Sequence, residues 1–122
     1  MDDKFAKMIM VGDDDPFILK LHARMLANLG YTAVTTCDGA LHALEVIDLL
    51  ASPPDLILLD LNMPDMDGVE FMRYLVERAY AGSLILLSGE DERVLQAAEK
   101  LVQAHQLTVL GHMRKPVKQE MP

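Results

Sequence analysis

The run Leu56-Ile57-Leu58-Leu59 is apolar at every position and lies between the breaker Ser52-Pro53-Pro54 and a polar loop that begins at Asp60. A strand without polar alternation has to be covered on both faces, which is the situation of a central strand in a parallel sheet. Ser83 to Leu87 repeats the pattern. Parallel neighbours cannot be joined by a tight turn, so each pair needs a crossover of a dozen or more residues, and the intervening segments have to supply it.

They do. Met8 to Val11 is a short apolar stretch, broken by Asp13-Asp14-Asp15-Pro16 and followed by Phe17, Ile18, Leu21, Met25, Leu26 and Leu29 at helical spacing. Asp15 suits the cap of that helix, Pro16 its first position and Gly30 its end. Tyr31 to Cys37, rich in Thr and Val, predicts a second strand, after which Asp38 is expected to cap a helix with Leu41, Leu44, Ile47 and Leu50 on its apolar positions. Val69 to Ala79 and Asp91 to Gln106 predict two more helices, the latter with Val94, Leu95, Ala98, Leu101 and Val102 on one face, and a fifth strand follows near Thr108 to Met113. Strands and helices alternate throughout, which predicts an α/β fold: a doubly wound, five-stranded parallel sheet with right-handed crossovers and its functional crevice beyond the carboxyl ends of the strands. The closing segment Pro116-Val117-Lys118-Gln119-Glu120-Met121-Pro122 is too short for a covering helix, so the fifth helix is expected to be missing or truncated.

At 122 residues, without an internal repeat or a linker, one domain is expected. A net charge of -8 argues against a nucleic-acid surface, which needs clustered Lys and Arg. The single cysteine, Cys37, excludes an internal disulfide and fits a reducing compartment. The acidic N-terminus Met1-Asp2-Asp3-Lys4 is unlike a cleavable signal, and the apolar runs are far too short to span a bilayer, so a cytoplasmic location without membrane contact is expected.

Four polar features fall at one edge of this sheet: Asp13-Asp14 after the first strand, Asp60 after the third, Ser88 after the fourth and Lys115 after the fifth. Each alone has a plain explanation as a cap, a turn residue or a solvated base. Together they place three carboxylates, a hydroxyl and an ammonium in one crevice. Three converging carboxylates repel one another unless a cation neutralises them. Magnesium suits such oxygen donors because it takes one or two carboxylates and keeps waters and phosphate oxygens, whereas paired Cys or His ligands for zinc are absent. Asp60 can then act as a nucleophile toward phosphorus, with Lys115 offsetting charge on the transferring oxygens. Ser88 offers a hydroxyl that can turn toward a phosphoryl oxygen, and Gly89 leaves that approach open.

These residues, with the run Asp60-Leu61-Asn62-Met63-Pro64-Asp65-Met66-Asp67-Gly68, resemble the receiver domains of bacterial two-component response regulators over almost the whole chain. The resemblance implies a flavodoxin-like sheet of strand order 2-1-3-4-5. It implies that Asp60 is the phosphoacceptor, that Asp13, Asp14, Asp60 and the main-chain carbonyl of Asn62 hold Mg2+, and that Ser88 and Lys115-Pro116 complete the site. A sensor histidine kinase is then the donor, and the surface of the fourth helix, fifth strand and fifth helix is remodelled on phosphorylation. His112 stands where many receivers carry a Tyr or Phe that rotates with the switch, and it reads either as that residue's counterpart or as a satisfied edge residue; Gly12 replaces a usual apolar residue, which loosens packing there. The last third, Ser88 to Leu95 and Val109 to Pro116, is similar to receivers placed ahead of cyclic-di-GMP phosphodiesterase (EAL) domains. Residues 1–122 are on that basis expected to be the N-terminal part of a longer regulator, with the oligomeric state left open.

Two other readings compete. A degenerate receiver would keep the fold and serve only as an interaction module, although all five key positions are present. An enzyme, either a flavodoxin-like electron carrier or an aspartate-based phosphatase, fits less well: the Asp13-Asp14-Asp15 loop would repel a flavin phosphate, and Asn62 stands where that phosphatase family carries a second aspartate. His22, His42 and His105 lack ligand spacing and are expected at or near the surface. The nine methionines read as core filler, initiator and loop residues, and Cys37 as a small buried or strand-end side chain.

Overall fold

A computed structural model of the chain describes residues 7–88 and 92–114. The order of elements is β1 (Met8–Gly12), α1 (Pro16–Asn28), β2 (Ala33–Cys37), α2 (Ala40–Leu49), β3 (Leu56–Asp60), α3 (Gly68–Glu77), β4 (Ser83–Ser88), α4 (Glu92–His105) and β5 (Thr108–Arg114). All pairings are parallel and the strand order is β2-β1-β3-β4-β5, the doubly wound order expected from the sequence. The question of the fifth helix falls on residues 115–122, outside the described residues.

Alternate side chains of the central strands feed two separate cores. Met10, Ile57, Leu59, Leu84 and Leu86 pack with α2, α3 and Ala98 of α4, whereas Ile9, Val11, Leu58 and Leu87 pack with Leu19 of α1. This explains the unbroken apolar runs: a strand that feeds two layers has no wet face. Leu110 of β5 is 64% exposed, and it is the extra residue of a bulge, since Leu84 pairs with Val109 but Ile85 with Gly111. Gly12 is buried, yet an added Cβ would meet nothing within 4 Å, so space is left beside the carboxyl end of β1.

Three helices end alike, with a left-handed residue and a main-chain bond reaching back five positions. Gly30 (φ 101) follows α1, with Tyr31 N–H donating to the Leu26 carbonyl. Ala79 (φ 54) follows α3, with Tyr80 N–H donating to Leu75, and Gln106 (φ 58) follows α4, with Leu107 N–H donating to Val102. Only the first uses the residue that adopts this conformation without strain.

Asp15 caps α1 as expected, its carboxylate accepting the Phe17 N–H at 2.9 Å, and Pro16 opens the helix. Three expectations are corrected. Asp38 does not cap α2: the N-cap is Gly39, without a side-chain bond, and Asp38 lies 3.1 Å from the His42 ring instead. His22 is buried at 2% exposure, because it lies one helical turn from Ile18 and Leu19 on the face that α1 turns to the sheet. Phe17, placed among the apolar positions of that helix, is 69% exposed.

Ala79→Gly should raise stability by about 0.5–1 kcal/mol in urea unfolding by relieving the left-handed alanine, whereas Gly30→Ala should lower it by about 1 kcal/mol. Cys37 is fully buried at the end of β2, and burial, with the charge of Asp38 adding, pushes its thiol up to about 11. The neutral thiol is therefore favoured in the native state, so native protein at pH 8 should resist iodoacetamide while protein in guanidinium is labelled. Stability should fall as pH rises from the unfolded thiol's value of 9.0 toward 11.

Candidate functional site

β1 and β3 are neighbours and both run toward the same edge, so the residues that leave their carboxyl ends share one crevice. Asp13 follows β1 directly and Asp60 is the last residue of β3. Both are 0% exposed, while Asp14 is exposed. Carboxylate oxygens of Asp13, Asp14 and Asp60 all lie within 4.8 Å of one another.

Local main-chain geometry holds the two buried acids. Asp13 Oδ1 accepts the Asp15 N–H at 3.0 Å, and Asp60 Oδ1 accepts the Asn62 N–H at 2.9 Å. Each is a turn in which a carboxylate accepts the amide two residues on, and each leaves the carboxylate's orientation fixed by its own loop. The Asp13 N–H in turn donates to the Cys37 carbonyl at 3.1 Å, tying this loop to β2.

The segment after Asp60 is anchored residue by residue. Leu61, Met63 and Met66 are buried in the larger core, and the Leu61 N–H donates to the Leu87 carbonyl of β4 at 2.8 Å. Asp67 caps α3 by accepting the Glu70 N–H at 2.8 Å. At Gly68 an added Cβ would lie 2.6 Å from the Leu61 Cα, so the first turn of α3 can pack on the chain beside the acid only where no side chain intervenes.

The donor set suits a hard cation. Two buried and one exposed carboxylate supply oxygen ligands and no sulfur or imidazole among the described residues of the cluster, which fits magnesium and not zinc. A cavity of about 740 Å³ lies elsewhere, between α3 and α4, and none of the three acids lines it. Asp14, the exposed acid, is the side on which a cation in this cluster can keep water ligands.

Of the remaining residues singled out in the sequence, Ser88 ends β4, one step beyond Leu87, which pairs with Asp60. It pairs with Arg114, the end of β5, so the position of Ser88 on the sheet edge is the expected one. Gly89, Lys115 and Pro116 lie outside the described residues. Asn62 is exposed beside Asp60. His112 is exposed on β5, opposite Leu86, and lines a cavity of about 350 Å³ with Val109 of the same strand and Glu99, Val102 and Gln103 of α4. Nothing local in the chain marks the capping role of Asp65, whose carboxylate accepts the N–H groups of Ala40 at 3.2 Å and Leu41 at 3.1 Å, because these partners lie 25 and 24 residues away.

A family model for the response regulator receiver domain matches residues 9–121. A positive alginate biosynthesis regulatory protein of Pseudomonas aeruginosa is 32% identical over 114 residues, covering 92% of this chain and 42% of that protein. The DNA-binding transcriptional regulator NtrC of Escherichia coli is 34% identical over 110 residues, 89% of this chain and 22% of its own length. The chain thus spans less than half the length of these curated relatives. Among solved structures, a response regulator from Colwellia psychrerythraea superposes with a TM-score of 0.77 at 33% identity, covering 93% of this chain and 88% of that one.

If the three carboxylates share a cation, magnesium at a hundredfold excess over its dissociation constant should stabilise the native state by about 2.7 kcal/mol, read as a rise in the urea midpoint. Asp60→Asn should stabilise the metal-free protein, because it removes one of three mutually repelling charges, and should lose most of the magnesium increment.

Proposed function

The chain belongs to the response regulator receiver domain family, and from that premise we propose that Asp60 is its phosphoacceptor, served by Mg2+ held between Asp13, Asp14, Asp60 and the main-chain carbonyl of Asn62. The observation that carries this reading is the approach of three carboxylates, from two strand ends, to within 4.8 Å of one another. Asp60 is the candidate nucleophile because it ends the central strand and its Oδ1 is already oriented by the Asn62 amide.

The donor is a phosphohistidine of a sensor histidine kinase. A carboxylate oxygen of Asp60 attacks phosphorus, the new O–P bond forms as the P–N bond breaks, and the electron pair leaves with the histidine nitrogen, which takes up a proton. The cation, when bound, supplies charge that offsets the phosphoryl oxygens. Lys115 adds a second positive charge, and the Ser88 hydroxyl donates to a phosphoryl oxygen. Once Ser88 is drawn inward, His112, two residues back along the neighbouring strand, adjusts toward α4, and this carries the signal to the α4 and β5 surface. The chain is in this reading a switch and not an enzyme, with slow hydrolysis of its own acyl phosphate as the return step.

Residues 1–122 form one receiver domain and the N-terminal part of a longer regulator, with an output domain beyond them. Its assignment to the EAL type rests only on the resemblance of Ser88 to Leu95 and Val109 to Pro116. No helix among the described residues is long and apolar enough to cross a membrane, and the net charge of -8 disfavours direct contact with nucleic acid.

Acetyl phosphate with magnesium, followed by intact mass, tests the reading. Wild type should gain one phosphoryl group and Asp60→Asn none. Equal labelling of both would move the acceptor elsewhere, and a wild type that takes up no label would make the chain an interaction module.

A further inference from the structure

The helix α2 starts without a cap of its own. Its N-cap is Gly39, and its first main-chain N–H groups would face solvent unless an acceptor came from elsewhere in the chain. Asp65 supplies it: Oδ1 accepts from Ala40 and Oδ2 from Leu41, so both carboxylate oxygens are engaged on consecutive amides of the first helical turn. A charge-assisted pair of bonds at the positive end of a helix is a strong form of cap. Partial desolvation pushes the Asp65 carboxyl up, but the amides of Leu41, Ala40 and Asp65 itself together outweigh it and hold it below the ordinary range.

Gly39 fits this arrangement for a steric reason. Its φ of -174 is extended backbone open to any residue, but an added Cβ would lie 3.1 Å from Asp65 Oδ2. The glycine therefore makes room for the carboxylate.

Asp65 belongs to the segment between Asp60 and α3. On one side of that segment, Met63 and Met66 are buried in the same core as Cys37 and Ala40. On the other, the Asp65 carboxylate ties it to the first turn of α2. We propose that Asp65 is a positioning residue: by clamping the start of α2 it fixes the loop that carries Asn62, and so sets the affinity of the acidic site for magnesium. The inference rests on the magnesium reading given above.

Isothermal titration of the chain with magnesium tests it. Asp65→Ala should weaken binding by about tenfold or more, in the range of other residues that orient a ligand without touching the metal. Asp65→Asn, which keeps one acceptor oxygen, should recover part of the loss. Gly39→Ala should weaken binding in the wild type and add nothing in the Asp65→Ala background, because its clash requires the carboxylate. Ile47→Ala, which loosens α2 against the core and leaves Asp65 alone, should lower stability with unchanged magnesium affinity. Wild-type affinity in folded Asp65→Ala overturns the inference and leaves the metal site standing. Should that variant not fold, unchanged affinity in both Asp65→Asn and Gly39→Ala overturns it equally. A wild type that binds no magnesium instead removes the metal site itself.

Discussion

Three carboxylates within 4.8 Å, two of them removed from water, form the constraint to which the rest of this structure answers. Like charges at this spacing in a partly desolvated crevice repel one another, and a core that contained them would ordinarily be less stable for it. The fold bears the cost because the acids sit at the carboxyl edge of a parallel sheet. There the loops leaving β1 and β3 turn sharply, and their own amides, those of Asp15 and Asn62, point back at the acids. The sheet beneath them is apolar on both faces and does not depend on them. The instability is confined to one edge, where a cation and a phosphoryl group can relieve it.

The run from Asp60 to Gly68 gains physical content from this arrangement. Leu61, Met63 and Met66 point into the core, Asn62 turns its amide to Asp60, Asp65 reaches α2, Asp67 caps α3, and Gly68 admits the close approach of Leu61. All of residues 61–68 but Pro64 are held in this way, so the loop that follows the acceptor has little freedom to drift. A nucleophile that must meet a phosphorus in line gains most from such fixation, since misplacement of reacting groups by an ångström is costly.

Much of this was legible in the chain. Runs without alternation predicted a buried parallel sheet, and the edge on which the acids meet followed from the order of elements. Family membership agrees with both. What escaped the sequence has a common character. Asp38 was expected to cap α2 because capping propensity is a local rule, whereas the actual cap, Asp65, is far along the chain and is brought near only by the sheet. Ala79 and Gln106 end helices in a conformation that only glycine advertises. His22 was read from its polarity, although its spacing from Ile18 and Leu19 already put it on the buried face.

The bulge at Leu110 is of the same kind, and it has a directional effect. In a parallel ladder, paired residues point to the same face, so an uninterrupted register from Leu84 and Val109 would set His112 against Leu87, which packs with α1. The extra residue moves His112 opposite Leu86, which packs in the core beneath α2, α3 and α4. One inserted position therefore decides which helical layer the imidazole addresses. It also opens the exposed step at Leu110 on the opposite face, so that β5 turns a polar ring toward α4 and an apolar side chain outward. A histidine in an unbulged β5 would have the same chemistry and the wrong neighbours.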